Sequence, residues 1–240
     1  MGRGKTRVGG GAARIGLRID NIPTGWYFLN AMEKITGKPT ARSKILIAAL
    51  SVIRAKGFAA TSVDDLCSAA GVTKGAFFHH FASKNELAVA AAEFWSETTG
   101  SFFASASYHN HADPLDRVLG YIDFRKSILL GTVPEFTCLA GTMVQETYES
   151  HPAIRQACER SISGHAAKIE ADIAGAMRVH HILADWTASS LALHMQAVLQ
   201  GGFILAKAKG GPGVAADSID HLRRYIEFLF NTASRKEKAK

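Results

Sequence analysis

No stretch of this 240-residue chain approaches the roughly 18 uninterrupted apolar residues of a membrane-spanning helix. The first residues carry Arg and Gly but no apolar core followed by a small-residue cleavage site, which argues against a secretory signal. Cysteine is scarce: Cys67, Cys138 and Cys158 are odd in number and far apart. That argues against a disulfide framework or a zinc site and fits a reducing cytoplasm. The paired histidines His79-His80 and His180-His181 are adjacent rather than four residues apart, and no Cys or carboxylate stands at ligand spacing, so no metal is expected. A Gly-rich phosphate loop and a nucleophile elbow are also missing, and no Ser, His and Asp set can be linked. The expectation is a protein that is not an enzyme and needs no cofactor.

What is present is positive charge, unevenly placed. Residues 1–39 hold seven Lys and Arg against two Asp and Glu, and residues 40–90 hold six against three. Residues 91–240 hold fifteen against sixteen. A basic front on a near-neutral body is the electrostatic footprint of a polyanion binder. A solubilising tail on an ordinary surface would leave the same trace.

Residues 1–39 are Gly-rich and weakly periodic, with Gly9, Gly10 and Gly11 in a row, and read as a disordered extension. Such a stretch either adds a basic DNA-contacting arm or precedes the effective start at Met32. From Thr40 the apolar residues recur at helical spacing, and no run alternates with the period of a strand. The pattern predicts an all-α chain of about nine helices. Ala41 to Lys56 places Ile45, Ala48, Ala49, Val52 and Ile53 on one face and stops at Gly57. Thr61 reads as the N-cap of a short helix to about Ala69, and Gly71 suits the tight turn after it. A second short helix covers Thr73 to His80. Ser83 then caps a long helix, with Glu86 at the capping-box position. Further helices are expected over Leu115–Leu130, Phe136–Tyr148, from Pro152, over Asp185–Lys207 and over Asp217–Asn231.

Two short helices joined by a Gly-bearing turn form a helix-turn-helix when the second is free to enter the major groove. Val63, Leu66 and Ala70 would face inward, Val72 would pack from the turn, and Phe77 and Phe81, four residues apart, would anchor the second helix. Thr73, Lys74, Ala76, His79 and His80 are left to face outward.

Residues 61–87 resemble the TetR family of bacterial regulators. The joint pattern runs from Thr61 through Ala70-Gly71-Val72-Thr73-Lys74-Gly75-Ala76-Phe77-Phe78-His79-His80-Phe81 to Lys84 and Leu87. The resemblance implies contacts to double-stranded operator DNA. Thr61, His80 and Lys84 fall where the family touches phosphates, and Thr73, Lys74, Gly75 and His79 where it meets bases or flanking phosphates. Phe78 is a departure, since the family has Tyr there with its hydroxyl on a phosphate. Lys74 and Lys84 would supply salt-dependent affinity, and His79 sequence choice.

The resemblance further implies an N-terminal three-helix domain (40–85) followed by a larger helical effector-binding and dimerisation domain (86–233), with a basic tail at 234–240. A small-molecule effector would sit in the second domain, with Phe102, Phe103, Tyr121, Phe124, Phe136, Met143, Trp186 and Met195 as candidates. Cys138 joins them, because Phe136-Thr137-Cys138-Leu139 followed by Gln145-Glu146 looks like a subgroup carrying Cys-Leu there. Cys138 is then either a thiol sensor or a buried structural residue. A homodimer is expected through the last two helices, by way of Leu191, Leu193, Val198, Leu199, Phe203, Ile204, Ile226 and Phe230. The whole reads as a ligand-responsive repressor. A helical binding protein or enzyme with an unused reading head, and a sequence-tolerant DNA binder, remain alternatives.

Overall fold

The computed structural model describes residues 40–237, with side chains through Asn231. The basic stretch 1–39 and residues 238–240 lie outside the described residues. Among the described residues there are ten α-helices, one 3-10 turn and no strand. They are α1 (Ala41–Lys56), α2 (Val63–Ala70), α3 (Lys74–His80), α4 (Lys84–Ala104), α5 (Pro114–Ser127), α6 (Val133–Phe136), α7 (Leu139–Thr147), α8 (Pro152–Val179), α9 (Ala188–Lys209) and α10 (Gly213–Glu237). The 3-10 turn, Ser107–Asn110, lies between α4 and α5.

One more helix than expected arises between residues 131 and 148. Thr132 and Glu135 close a capping box around the single turn α6, and Thr137 and Cys138 then run extended. Cys138 itself caps α7, its sulfur accepting from the Gly141 amide at 3.4 Å. The expected Phe136–Tyr148 helix is therefore two elements. The last helix starts at Gly213, earlier than Asp217, because Pro212 opens it by accepting from the Ala216 amide. It also continues to Glu237, so the first part of the expected tail is helical backbone.

The front three helices follow their caps. Thr40 accepts from the Ser43 amide to start α1, and Gly57 ends it at φ 87° and ψ 162°, a region open to glycine alone. The N-cap of α2 is Ser62, not Thr61: Ser62 accepts from the Asp65 amide, and the Asp65 carboxylate accepts in return from the Ser62 amide. Gly71 turns the chain in the left-handed region, and Thr73 caps α3. Ser83 caps α4, but the Glu86 carboxylate reaches past it to the Ala82 amide at 2.8 Å.

Two buried clusters form. The front one joins Ile45, Ile53, Leu66, Phe77, Phe81 and Leu87 to Leu139, Met143, Ile154 and Cys158 from α7 and α8. The expected divide at residue 85 is thus no divide in packing, because α7 and the start of α8 complete the front core. The second cluster fills the body from Phe103 to Phe230 around the 28-residue α8. Ion pairs pin α5 to its neighbours: Arg117 to Asp172 of α8, and Lys126 to Asp220 of α10, both at 2.7 Å.

Candidate nucleic-acid interface and ligand cleft

α3 is a seven-residue helix held by two rings. Phe77 is 0% exposed and Phe81 2%, so the opposite face of α3 is fixed outward. Thr73, Lys74, Gly75, Phe78 and His79 lie exposed on it, and His80 is half-buried against His79. Phe78 is 54% exposed, its ring edge-on to Phe77. A Cβ added to Gly75 would come no closer than 3.8 Å to any neighbour, the Thr73 hydroxyl, so nothing inside the chain requires glycine there.

Two of the expected phosphate contacts are turned inward. Thr61 is 1% exposed, and its hydroxyl donates to the Gly57 carbonyl at 2.6 Å. The Lys84 ammonium donates to the carbonyls of Phe58 and Thr61 at 3.0 and 2.9 Å and more loosely to Ala59. It lies 4.4 Å from the centre of the Phe58 ring. Three donors on three carbonyls close the α1–α2 turn, which is a structural task. Two further cations of the front are also engaged. Lys56 pairs with Asp65 at 2.9 Å, holding that carboxyl well below its usual range together with the Ser62 amide and hydroxyl. Lys74 pairs with Asp64 at 2.7 Å, and the bond to Asp64 raises the lysine's pKa. Both partners are open to water, so this pair is easily exchanged.

Arg42 and Lys44, near the start of α1, escaped sequence reasoning. Both are exposed, and neither has an ion pair or side-chain hydrogen bond among the described residues. The Arg42 guanidinium lies 5.4 Å from the ring centre of Phe81, which puts a free cation beside the end of α3. The signal was in the sequence as two basic residues in a first helical turn, where they oppose the helix dipole.

The body opens a cleft that is partly exposed to solvent. Of the candidate pocket residues, Phe102, Phe103, Phe136 and Cys138 line it. The other candidates do not. Met143 is fully buried in the front core, and Met195 in the body core. Trp186 packs on Phe230 away from the cleft, and Phe124 stands behind Phe102 and Phe103. Tyr121 lines an adjoining cavity and touches the cleft through its hydrogen bonds alone. The Gln196 amide donates to the Tyr121 oxygen at 3.4 Å, which leaves the tyrosine O–H to donate to His165 Nε2 at 3.0 Å. Burial, and then the charges of Arg125 and Lys168, pull the His165 imidazole down to about 3, so it is neutral at pH 7.

The polar lining was invisible in the sequence. Arg54, from α1, is 8% exposed in the cleft wall. Its Nε donates to the Leu50 carbonyl at 2.8 Å, and its Nη1 to the Glu135 carbonyl at 3.0 Å. Its guanidinium lies 5.0 Å from the Trp95 ring centre. Burial pulls it down to about 10, against the fields of Cys138 and Glu135, so it stays charged. Arg125 lies across the Phe103 and Phe203 rings at 5.1 and 5.4 Å. The Thr137 hydroxyl is buried there without a partner.

A second tie joins the body to the turn after α1. The Glu146 carboxylate of α7 accepts from the amides of Phe58 and Ala59, at 3.2 and 2.7 Å. A Cβ at Gly57 would fall 2.5 Å from that carboxylate, so a larger residue there would push the Glu146 side chain off the two amides.

Of the expected dimer residues, Leu191, Leu199, Phe203, Ile226 and Phe230 are buried within the protomer, and Val198 is half-buried. Leu193 and Ile204 are exposed at 50% and 47%. With Leu205, Tyr225 and Phe228 they form the apolar outer face of α9 and α10, where Gly201 has open space at its Cβ position.

No helix among the described residues is long and apolar enough to cross a membrane, and none of them group as three or more metal-ligating side chains. A helix-turn-helix head whose core is completed by an all-helical body with a side-opening cleft defines a class, the two-part helical proteins with an N-terminal reading head. Residues 45–91 match the family model of bacterial regulatory proteins, tetR family. The chain is 45% identical over 56 residues to the HTH-type transcriptional regulator CymR of Pseudomonas putida, covering 23% of this chain and 28% of that one. It is 35% identical over 57 residues to the HTH-type transcriptional repressor KstR2 of Mycobacterium tuberculosis, with the same coverage of 23% and 28%. These matches span less than a third of either relative's length. A TetR-family transcriptional regulator from Agrobacterium tumefaciens has the same fold across 77% of this chain and 96% of its own, with a TM-score of 0.68 and 17% identity. The front of this chain is thus similar to the tetR family in sequence, and the described chain shares the fold of a solved TetR-family structure.

Proposed function

We propose that this protein is a transcriptional regulator that grips double-stranded operator DNA through α3 as a homodimer and is released by a small molecule bound in the cleft. The observation that carries the reading is the outward face of α3, presented rigidly by the buried Phe77 and Phe81. Gly75, which no internal contact demands, fits a backbone that must approach DNA closely. Thr73, Gly75 and His79 are proposed to meet bases, with Lys74, His80 and the Phe78 ring on flanking phosphates and sugars. Phe78 lacks a hydroxyl for a phosphate. Arg42 and Lys44 take over the backbone contacts that Lys84 and Thr61 are too engaged to make. The exposed apolar face of α9 and α10 is proposed to pair with its copy, setting two heads on half-sites about 34–36 Å apart. Repression is the sense of control named for KstR2 and is proposed here by likeness.

A mobility shift with duplexes flanking the protein's own gene tests this reading. A salt-sensitive shift, retained against excess bulk DNA, is expected. The absence of a shift on any of these duplexes, or an equal shift on random duplex, would overturn it.

A further inference from the structure

The cleft holds two guanidiniums, Arg54 and Arg125, that form no ion pair among the described residues, against one carboxylate, Glu135, in its lining. Arg54 uses two of its five N–H donors, both on carbonyls, and makes no ion pair among the described residues. The Glu135 carboxylate accepts from the Thr132 amide and hydroxyl, at 2.6 and 2.8 Å, and makes no direct bond to Arg54, though its field favours the charged guanidinium. Arg125 has neither ion pair nor hydrogen bond to any described residue and rests on two aromatic rings. His165 adds no charge, being held neutral. A guanidinium out of water and without a counter-ion is costly, and an anion brought into the same space offsets that cost. The orphaned Thr137 hydroxyl adds a neutral donor or acceptor in the same wall. Between these polar groups the lining is aromatic: Trp95, Phe102, Phe103, Phe136 and Phe203.

We propose that the cleft binds an aromatic organic anion, its carboxylate held between Arg54 and Arg125 and its ring system packed on the aromatic walls. This deepens, and rests on, the reading of the cleft as the effector site. Arg54 belongs to α1, the first helix of the reading head, and is tied to α6 of the body through the Glu135 carbonyl. A carboxylate drawn onto Arg54 therefore acts directly on the helix that carries the head, with no chain of intermediates.

The test uses the full chain without DNA, so that failure of the DNA-binding reading cannot be confused with failure of this one. Calorimetric titration compares naphthalene-2-carboxylate with its uncharged near-isostere naphthalene-2-carboxamide. The acid is expected to bind roughly tenfold or more tightly than the amide, as a charge-assisted contact to guanidinium should. Arg125→Gln, at a half-exposed position outside both buried clusters, should erase that preference while leaving the melting temperature near that of the parent. Arg54→Lys keeps the charge but loses the planar fork, and should weaken the acid more than the amide. Equal affinity for acid and amide, binding of neither, or an acid preference that survives Arg125→Gln would overturn the proposal.

Discussion

The reading head and the cleft behind it dispose of positive charge in opposite ways. In the head, the cations close on the chain itself: Lys56 on Asp65, Lys74 on Asp64, and Lys84 on the carbonyls of the α1–α2 turn. Only Arg42 and Lys44 of that region stand without an ion pair or hydrogen bond among the described residues. In the cleft, Arg54 and Arg125 have aromatic rings and carbonyls about them but no carboxylate bond, and a hydroxyl stands unpartnered beside them. Among the described residues the front is thus largely paired within itself, whereas the cleft keeps two guanidiniums without an ion pair and one hydroxyl without a partner. A net positive count over residues 40–90 said that the front was basic, yet much of that charge serves to hold the head's own shape.

Three substitutions would break or sharpen this contrast. Phe77→Ala should have the largest effect, because it empties a fully buried site at the centre of the front core. A loss of about 3–5 kcal/mol is expected, read from denaturant or thermal unfolding, together with loss of any DNA shift. A loss below about 1 kcal/mol would mean that α3 is not held by this anchor. His165→Gln comes second. The folded imidazole is pulled down to about 3, so between the ordinary value near 6.5 and pH 3 the unfolded chain binds more protons than the folded one. Stability therefore falls as pH drops through this window, by about 2 kcal/mol at pH 5 relative to pH 7.5 from this group alone. Glutamine retains a hydrogen-bonding partner for Tyr121 and does not titrate, so the variant's melting temperature should decline less between pH 7.5 and 5. An unchanged pH profile would contradict a buried neutral His165. Lys74→Ala should do least. Its exposed pair with Asp64 adds little to folding, so the melting temperature should hold. Binding to every duplex should weaken, and the slope of log affinity on log salt should flatten by about one. An altered preference among operators would instead assign Lys74 to base reading.

The legibility of the sequence followed the distance between cooperating residues. The reading head lies within about 40 consecutive residues, so caps, turn glycines and the Phe77–Phe81 spacing sufficed to place it. Even there Thr61 and Ser62 exchanged roles, since either hydroxyl can cap and only packing decides which one is buried. The cleft draws on α1, α4, α5, α6, α8 and α9, and no local spacing joins Arg54 to Arg125 or Thr137. Arg54 in particular reads as an ordinary basic residue in the last turn of a helix. Aromatic and Met residues at helical spacing were equally ambiguous, so Phe136 lines the cleft while Met143 and Met195 fill cores. The outer face of α9 and α10 shows the same limit: apolar residues surround α9, and only the packed structure separates Leu199 inside from Leu193 outside.

The Glu146 carboxylate, which closes the Phe58 and Ala59 amides from the far side of the chain, bears on how such proteins can be recombined. A head of residues 40–90 cut free, or grafted onto another body, would leave those two amides open and would expose the faces of α1 and α4 that α7 and α8 cover. A working exchange of DNA specificity should therefore replace only the outward residues of α3, or else carry α7 across together with the head. The unit that can be transplanted is defined by this carboxylate and by the shared core, rather than by the stretch that matches the family model.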